Sequence, residues 1–478
     1  TEYGFLKVDI LGTEGLTKQK MVIDLVKNRT GKSINIDNLK CLRDPRNVDE
    51  DVMEGWRKGD TFGVFQFESE GITALLRDMV PSTLTDIAAA NALYRPGPLQ
   101  SGLSREYGNR KNGRSQVEFW HESLRPYMSN TYGILVYQEQ VMKVVQELGG
   151  FTLAEADTVR KAITKWIGKK GKKYLEKYES KFVDNAVNLG LKKSLAVDIW
   201  DKLTEFASYA FNASHSAGYA AQAYQDMLLK VRYPLEFYCA LMTLSADKVP
   251  RAIREARRKN IKVLPPNINT SGTNFSVDGD CIRFGLLSIK NVGPMAVKAI
   301  LEERDRGIFA SIDDFNERVP KRQVNAKVRN ALINSGAFDS FGGREHISKD
   351  QIIAQEIELF GMSLSISTVS EEYMSLIRSL STDHDDYINA KPNTYHNIGG
   401  EVLKVRVSKT KFGDKMLMCE IDYDGHTINA VSFGDQNVDR IKDTLKLGNV
   451  IMIKGKKNNR GGLTIEVCSL CEEIIAAR

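Results

Sequence analysis

Cysteine and histidine are both scarce in this sequence, with six of each among 478 residues. So few cysteines, without regular spacing, do not make a disulfide framework. Cys468 and Cys471 form one C-x-x-C pair, but no second pair and no His-x-x-x-His segment completes the usual zinc pattern. We therefore expect reduced thiols, and metal binding at this pair is the less favoured alternative.

Long apolar runs are also missing. No stretch approaches the roughly 18 residues that a membrane span requires, and no secretory signal opens the chain. We therefore expect no membrane partner and a reduced, cytoplasmic compartment. The chain begins at Thr1 within a segment that has the pattern of a strand, so we expect this start to be a cut rather than a natural terminus.

Neither sign of charge dominates, because 67 Lys and Arg residues face 61 Asp and Glu residues, for a net charge of +6. That balance allows nucleic-acid binding without indicating it, so the argument depends on where basic residues cluster. The length is enough for about three domains of ordinary size. The pattern predicts a multidomain, mainly α fold with a short N-terminal strand and a C-terminal five-stranded β-barrel of the OB type. The predicted segments are residues 1–15, 16–258, 259–345, 346–395 and 396–478.

The first segment places an acidic and a basic side chain on one face of a strand. In Lys7-Val-Asp9-Ile-Leu11 a period of two puts Lys7 and Asp9 opposite the apolar residues. Phosphoryl transfer with two metal ions needs carboxylates on a rigid strand, and a neighbouring lysine suits a triphosphate oxygen. From spacing alone, a solvent-facing pair on an edge strand is the better explanation.

A basic helix follows Gly150. Thr152 and Glu155 have the spacing of a capping box, and Arg160 and Lys161 then lie on the helix that it starts. Positive charge on a preformed helix can stabilise the charge that develops on a leaving pyrophosphate. The alternative is an ordinary solvated helix face, which is the usual meaning of a charge run.

Aromatic rings mix with hydrogen-bonding groups between Tyr209 and His215. Phe211, Asn212 and His215 together suit stacking on a nucleobase while its edge or sugar is read. The alternative for His215 is a structural histidine. Arg95, framed by two prolines in Arg-Pro-Gly-Pro, is either a phosphate contact or a structural turn arginine.

A helix-hairpin-helix signature occupies the stretch from Gly285 to about Glu303. Gly293 permits a tight turn, and the helix that follows it aims backbone N–H groups at a position where a DNA phosphate can lie. Lys290 adds charge beside Asn291. These residues predict sequence-independent duplex binding, and a purely structural αα-hairpin is the alternative.

The barrel and the segment before it contribute two further predictions. Gln355–Phe360 resembles the glutamine-to-aromatic peptides that bind sliding clamps, so this segment is a candidate for clamp binding. The first barrel strand and its turn are basic, which favours single-stranded nucleic acid, although a partner-facing barrel is nearly as well supported. The basic residues concerned are Lys404, Arg406, Lys409 and Lys411.

Five motifs in one order carry a family resemblance that runs from about residue 3 to residue 341. Together with GFLKVDILG at the start, they resemble the alpha subunit of bacterial DNA polymerase III, a C-family polymerase. The motifs are GDTFGVFQFES at 59–69, ALYRPGPL at 92–99, YGILVYQEQVM at 132–142, ADTVRKA at 156–162 and FASYAFNASH at 206–215.

The resemblance implies a role for each candidate residue. Asp9 matches the third palm aspartate, a metal ligand, with Lys7 near the nucleotide phosphates. Arg160 and Lys161 match two triphosphate-binding arginines, and Lys161 lacks the bidentate fork of arginine. The loop before His215 lines the incoming-nucleotide pocket in the family; here Ala213 replaces a usual lysine, and Ser208 and Ala210 replace usual glycines.

The same resemblance gives the segments their names and the reaction its form. Segment 1–15 is the end of the palm, 16–258 the fingers, 259–345 the clamp-proximal hairpin region, 346–395 a connector and 396–478 the OB domain. The implied reaction is addition of deoxynucleotides to a primer 3′ end on template DNA. In it the 3′-hydroxyl attacks the α-phosphorus between two Mg²⁺ ions.

One aspartate cannot hold two metal ions, and this sequence has no P-D-x-D motif to supply the others. We therefore expect this chain alone to be inactive and to need a second polypeptide with that motif, the phosphoesterase-like domain and the thumb. The alternative is a non-catalytic DNA-binding or clamp-adaptor protein derived from such a polymerase. A nuclease is disfavoured because no carboxylate or histidine cluster supports one.

Overall fold

The computed structural model describes residues 14–165, 169–207, 210–365, 369–411, 413–423, 426–459 and 461–477. The chain divides into two compact units, an amino-terminal unit up to Tyr233 and a carboxy-terminal unit from Pro234. The strand predicted at residues 4–12, with Lys7 and Asp9, lies outside the described residues. No helix in the described ranges is long and apolar enough to cross a membrane.

The described part of the amino-terminal unit is helical, as the sequence predicts. Short 3₁₀ turns at Lys40–Leu42, Glu122–Leu124 and Ser129–Thr131 join some of its helices. The helices are α1 (Glu14–Thr30), α2 (Glu50–Lys58), α3 (Glu70–Met79), α4 (Leu84–Leu93), α5 (Pro96–Gln100), α6 (Leu103–Lys111), α7 (Arg125–Met128), α8 (Gln138–Gly149), α9 (Leu153–Lys165), α10 (Lys169–Asn188), α11 (Lys193–Ala207) and α12 (Ala213–Arg232).

Helix α12 packs against α1, α2 and α4, and a buried carboxylate fixes it there. Asp226 on α12 has no exposed surface, and it accepts hydrogen bonds from the Lys18 ammonium at 2.8 Å and the Phe65 backbone N–H at 2.9 Å. A buried charge is costly unless it is paired and hydrogen-bonded. These bonds therefore hold α1 and the Phe65 segment at a fixed place beside α12.

Helices α8–α11 pack around an apolar core of their own. Val141, Val144, Val145 and Leu148 of α8 face this core at the spacing that the sequence predicts for a buried helix face. Gly150 ends α8 in the left-handed conformation, with φ of 62°. The predicted capping box is present, because the Thr152 N–H donates to Glu155 Oε2 at 2.8 Å and the Glu155 N–H donates to Thr152 Oγ1 at 3.3 Å.

The carboxy-terminal unit contains helices and two sheets. Short 3₁₀ turns lie at Ala246–Lys248, Leu286–Ser288 and Asp339–Phe341. Its elements are α13 (Pro234–Leu244), α14 (Val249–Arg258), β1 (Val263–Leu264), β2 (Ser276–Asp278), β3 (Cys281–Arg283), α15 (Pro294–Asp305), α16 (Ile312–Arg318), α17 (Ala326–Asn334), α18 (Lys349–Phe360), α19 (Glu371–Leu380), α20 (His384–Asn389), β4 (Tyr395–Lys409), β5 (Lys415–Tyr423), β6 (His426–Phe433), α21 (Asp435–Ile441), β7 (Val450–Lys457), β8 (Leu463–Leu470) and α22 (Cys471–Ala476).

The strands β4–β8 form the predicted OB barrel. Their order is β4-β5-β6-β8-β7, and antiparallel pairing of β7 with β4 closes it. Strands β6 and β8 pair in parallel at Ala430 with Leu463 and Val431 with Thr464. Alternate residues of β5, such as Leu417 and Ile421, point into the apolar core. A five-stranded barrel of this kind is the arrangement expected for the OB fold.

The segment that resembles a clamp-binding peptide is a packed helix, which contradicts that interpretation. Phe360, at the end of α18, is only 6% exposed, and its ring lies 4.6 Å from the ring of Phe284. Glu356, in the middle of the segment, has no exposed surface and forms an ion pair with Arg344 at 2.9 Å. A clamp-binding peptide must present its aromatic residue to the clamp, and Phe360 is already buried in this unit.

The predicted fold class is therefore confirmed for a mainly helical chain with a carboxy-terminal OB barrel. The boundary between the two units falls at residues 233 and 234, inside the range 16–258 that the sequence assigned to one domain. The finer domain limits stay predictions.

Candidate nucleotide-binding surface

The start of α8 is joined to the segment that precedes α12. The Gln138 backbone N–H donates to the Phe211 carbonyl at 2.8 Å, and the Phe211 N–H donates to the Val136 carbonyl at 3.3 Å. The Gln138 side chain donates to the Ala210 carbonyl at 3.1 Å. These bonds fix the backbone at Phe211 and hold residues 210–211 against residues 136–138.

Two side-chain oxygens accept backbone N–H groups from the first turn of α12. Asn212 caps the helix, because its Oδ1 accepts the His215 N–H at 2.9 Å. Glu139 Oε2 accepts the Ala213 N–H at 3.0 Å. A carboxylate near a helix N-terminus is favourable because it meets the positive end of the helix dipole. The structure therefore gives Asn212 a capping role at this turn.

Arg160 reaches the same structure from α9. Its Nη1 donates to Gln138 Oε1 at 3.0 Å, while Nε and Nη2 donate to Asp157 Oδ1 at 3.0 and 2.7 Å. Lys161 lies 2.6 Å from the other oxygen of Asp157. Lys161 and then Arg160 lower the pKa of the Asp157 carboxyl. Gln138 thus links the basic helix to the loop that carries Phe211.

Arg95 contacts the same loop through the Phe211 ring. Its guanidinium carbon lies 4.5 Å from the centroid of the Phe211 ring, and its Nε donates to the Ala92 carbonyl at 2.9 Å. Partial burial lowers the pKa of this guanidinium. The bond to the Ala92 carbonyl caps the last turn of α4, which is the structural role that the sequence left open for Arg95. The stacking on Phe211 also brings Arg95 to the candidate site.

A row of rings continues along α12. The His215 ring lies 5.4 Å from Phe211 and 4.1 Å from Tyr219, and Tyr219 lies 5.0 Å from Phe65. His215 is exposed, and the other three rings are partly buried. We call these four residues the aromatic row. Rings with accessible faces form a platform on which nucleobases can stack.

The structure brings together Arg95, Arg160, Asn212 and His215, and Lys161, which is exposed, joins Arg160 through their common partner Asp157. Sequence reasoning did not assign a site role to Gln138, Tyr219 or Phe65. The signal for Tyr219 was present, because His215 and Tyr219 are separated by i, i+4 on α12 and share a helix face. Phe65 is far away in sequence and gave no such signal.

The metal ligands that the resemblance implies are not assembled in the described part of the chain. Within those ranges no group of three or more His, Cys, Asp or Glu side chains is placed to hold a metal ion. Asp9 lies outside them, so the described residues alone do not fit a two-metal site. Burial raises the pKa of Cys468 to about 12 and that of Cys471 to about 11, which disfavours the thiolates that zinc requires.

The helix-hairpin-helix turn presents its tip to solvent. Lys290 and Asn291 are exposed, Asn291 adopts the left-handed conformation with φ of 72°, and Met295 is 66% exposed. Gly293 has an ordinary φ of −94°, so the left-handed position of the turn is Asn291 and not Gly293. A Cβ at Gly293 would meet nothing within 4 Å, so no neighbour in the fold requires a glycine there.

The outer face of the barrel mixes basic and apolar side chains. Arg406 of β4 pairs with Met418 of β5, and Met418 pairs with Val431 of β6. Phe433 ends the same face of β6 and is 47% exposed. Lys404 also lies on this face, 3.4 Å from Glu420. The remaining predicted residues, Lys409 and Lys411, are exposed at the β4–β5 turn.

Two family models match the chain. Residues 15–190 match the bacterial DNA polymerase III alpha subunit finger domain, and residues 260–347 match a helix-hairpin-helix motif. The first match contains α8, α9 and Arg95, and the second contains the hairpin with Lys290.

Curated relatives extend the similarity over most of the chain. It is 35% identical over 485 residues to DNA polymerase III subunit alpha of Aquifex aeolicus, a match that covers 95% of this chain and 41% of that protein. The protein of the same name from Thermus aquaticus is 40% identical over 351 residues, which cover 72% of this chain and 28% of the relative. DNA polymerase III subunit alpha of Pasteurella multocida is 31% identical over 532 residues, a match that covers 98% of this chain and 45% of that protein.

This chain thus spans less than half the length of these relatives. The regions matched by the two family models include α8, α9 and Arg95 of the candidate surface, as well as the hairpin, but not Phe211 or His215. The chain belongs to the family of bacterial DNA polymerase III alpha subunits, to whose fingers and helix-hairpin-helix regions it corresponds.

Proposed function

We propose that these 478 residues supply the incoming-nucleotide surface and the DNA-binding modules of a template-directed DNA polymerase. The observation that carries this proposal is the link made by Gln138, which binds Arg160 and the backbone at Ala210 and Phe211 together. Residues from three parts of the sequence, which the family resemblance assigns to one substrate, thereby meet on one surface.

The surface suits a deoxynucleoside triphosphate at both ends. Arg160 and Lys161 offer positive charge where pyrophosphate leaves, and fixed charges of this kind stabilise the transition state of phosphoryl transfer. Arg95 lies at the Phe211 end of the aromatic row. In this proposal the rings of Phe211 and His215 contact the base or the sugar, and Asn212 keeps the first turn of α12 in position.

Asp9, with Lys7 beside it, is the proposed contribution of this chain to the metal site. The family resemblance alone assigns this role to Asp9, which lies outside the described residues. The two Mg²⁺ ions also need the P-D-x-D aspartates, which these 478 residues do not contain.

The hairpin and the barrel are the proposed contacts to primer–template DNA. Lys290, Asn291 and the backbone at Gly293 would meet duplex phosphates, and the outer barrel face would hold single-stranded template. OB surfaces that bind single strands combine positive charge with exposed aromatic rings, and this face has Arg406 and the half-exposed Phe433. In this proposal the chain works at a replication fork, with primer–template DNA and a deoxynucleotide as its partners.

Primer extension tests the proposed function. We expect no extension by the 478-residue chain alone, and extension when a polypeptide that carries the P-D-x-D palm, the phosphoesterase-like domain and the thumb is added. Asp9→Ala should abolish the restored activity, whereas Asp9→Glu should retain a trace of it. Extension by the chain alone, or full activity of Asp9→Ala in the mixture, would contradict the proposal.

A second function is a non-catalytic DNA-binding or adaptor role. The observation that favours it is that the described ranges contain no cluster of metal-ligating side chains. Under this alternative Asp9→Ala leaves the function of the chain intact, and no P-D-x-D polypeptide restores extension. The primer-extension experiment therefore separates the two functions.

A further inference from the structure

One carboxylate holds both cations that the proposed function assigns to the triphosphate. Asp157 Oδ1 accepts from Nε and Nη2 of Arg160 at 3.0 and 2.7 Å, and Asp157 Oδ2 lies 2.6 Å from the Lys161 ammonium. Asp157 lies one helical turn before both residues on α9. An anion that binds either cation therefore also meets the negative charge of Asp157.

The N–H groups that Asp157 holds are those a phosphate needs. A guanidinium binds phosphate most strongly through two parallel N–H groups. On Arg160 the Nε–Nη2 edge points at Asp157, while Nη1 is held by Gln138 at 3.0 Å. A triphosphate that takes this edge must displace Asp157, and the Gln138 bond keeps the guanidinium at the site during the exchange.

We propose that Asp157 is the counter-ion of the triphosphate subsite, which holds Arg160 and Lys161 between turnovers and competes for them with pyrophosphate. This inference rests on the proposed function. In this role Asp157 lowers the affinity for polyphosphate. Its carboxylate pairs with Arg160 and Lys161 again as pyrophosphate leaves. Release of product limits the rate of many enzymes, so such competition has a kinetic use.

The size of the effect follows from the exposure of the pairs. The Asp157, Arg160 and Lys161 side chains are 33%, 25% and 55% exposed. An ion pair at this level of exposure changes an equilibrium constant by a factor of roughly 1.5 to 5. Displacement of two such pairs should therefore weaken polyphosphate binding by a factor of roughly 2 to 25.

The test measures binding of tripolyphosphate and of pyrophosphate to the 478-residue chain by titration calorimetry at low ionic strength. Asp157→Asn removes the charge and keeps the shape of the side chain. Asp198→Asn is the matched control, because Asp198 forms an i, i+4 ion pair with Lys202 at 2.7 Å on α11. The double variant Asp157→Asn with Arg160→Ala reports whether the binding uses Arg160.

We expect Asp157→Asn to bind both anions at least twofold more tightly than the unchanged chain. Asp198→Asn should bind them with the affinity of the unchanged chain, and the double variant should lose the gain in affinity. Equal or weaker binding by Asp157→Asn, with binding that still depends on Arg160, would show that Asp157 positions Arg160 instead and would overturn the inference alone. If no variant shows binding that depends on Arg160, the triphosphate subsite of the proposed function fails as well.

Discussion

At the scale of single residues, the groups that organise the candidate surface are those that join distant segments. Gln138 contacts Arg160, 22 residues later, and Ala210, 72 residues later. The sequence shows Gln138 as one polar residue at the start of an apolar helix. Its role depends on two contacts that only the folded chain brings together.

Glu155 gives a pH-dependent prediction for the α8–α11 bundle. Its bond to Lys181, followed by its bonds to Thr152, lowers the pKa of this carboxyl from 4.5 to about 2. A group whose pKa is lower in the folded state stabilises the fold above its unfolded pKa and loses this contribution as the pH falls. We expect the free energy of unfolding to decline between about pH 4.5 and pH 2, and less so in Glu155→Gln.

The measurement is chemical unfolding followed by tryptophan fluorescence at several pH values, because Trp200 lies in the core of this bundle. Glutamine keeps the capping geometry, since it also accepts a backbone N–H at this position. An identical pH profile for the variant and the unchanged chain would show that the Lys181 and Thr152 bonds do not control the acid sensitivity of this bundle.

Arg344 gives a prediction about stability. It is 5% exposed and binds Glu356, which is fully buried, as well as Asp339. Removal of one partner leaves a buried charge without its counter-ion, which typically costs about 3–5 kcal/mol. We expect Arg344→Met to lower the unfolding free energy of the carboxy-terminal unit by about 3 kcal/mol, because Glu356 keeps its backbone N–H donors at Leu364 and Ser365.

Arg306→Met is the control for this change. Arg306 forms an ion pair with Glu303 at 2.6 Å, but its side chain is 73% exposed. Exposed pairs contribute about 0–1 kcal/mol. Urea unfolding of both variants should therefore give clearly different losses, and similar losses would mean that the buried pair is not what stabilises α18 against the preceding turn.

At the scale of elements, the sequence predicted where helices begin better than it predicted what they face. The capping box at Thr152 and Glu155 and the OB strands were readable, because caps and period-two alternation are local signals. The clamp-like peptide was misread for the same reason. Its glutamine-to-aromatic spacing is local, and the burial of Phe360 against Phe284 is not.

Gly293 allows an element-scale prediction about the hairpin. Its φ of −94° suits any residue, and a Cβ would have open space around it, so alanine should fold there without strain. If the hairpin backbone meets a DNA phosphate, however, a methyl group at the point of closest approach interferes. We expect Gly293→Ala to keep its unfolding midpoint and to bind duplex DNA about tenfold more weakly, a loss near that of one good charged hydrogen bond.

Gly279→Ala provides the contrast. Gly279 also has open space for a Cβ, but it adopts φ of 62° at the turn between β2 and β3. Alanine there should cost stability and leave the hairpin unchanged. Fluorescence anisotropy with labelled duplex, together with thermal unfolding, measures both effects. Duplex binding by Gly293→Ala that equals that of the unchanged chain would favour the structural αα-hairpin.

At the scale of the whole molecule, fold class and family could be inferred from sequence because they depend on many motifs in one order. The arrangement of the candidate surface could not, since it depends on single contacts between α8, α9 and the segment before α12. The i, i+3 and i, i+4 spacing of Asp157 with Arg160 and Lys161 is a local signal that the sequence contains. The bond from Arg160 to Gln138 joins residues 22 positions apart, and only the folded chain shows it.

The two DNA-binding modules should also be separable by salt dependence. Each phosphate contact to duplex DNA contributes about −0.9 to the slope of log K against log salt, and each contact to a single strand about −0.7. If Lys290 contacts duplex phosphate and Arg406 contacts single-stranded template, Lys290→Ala should reduce the duplex slope by about 0.9 and leave the single-strand slope unchanged. Arg406→Ala should do the reverse, with a change of about 0.7. Anisotropy titrations between low and moderate salt measure both slopes on the same protein. If both variants change both slopes equally, the hairpin and the barrel are not separate contacts, and one continuous basic surface binds both forms of DNA.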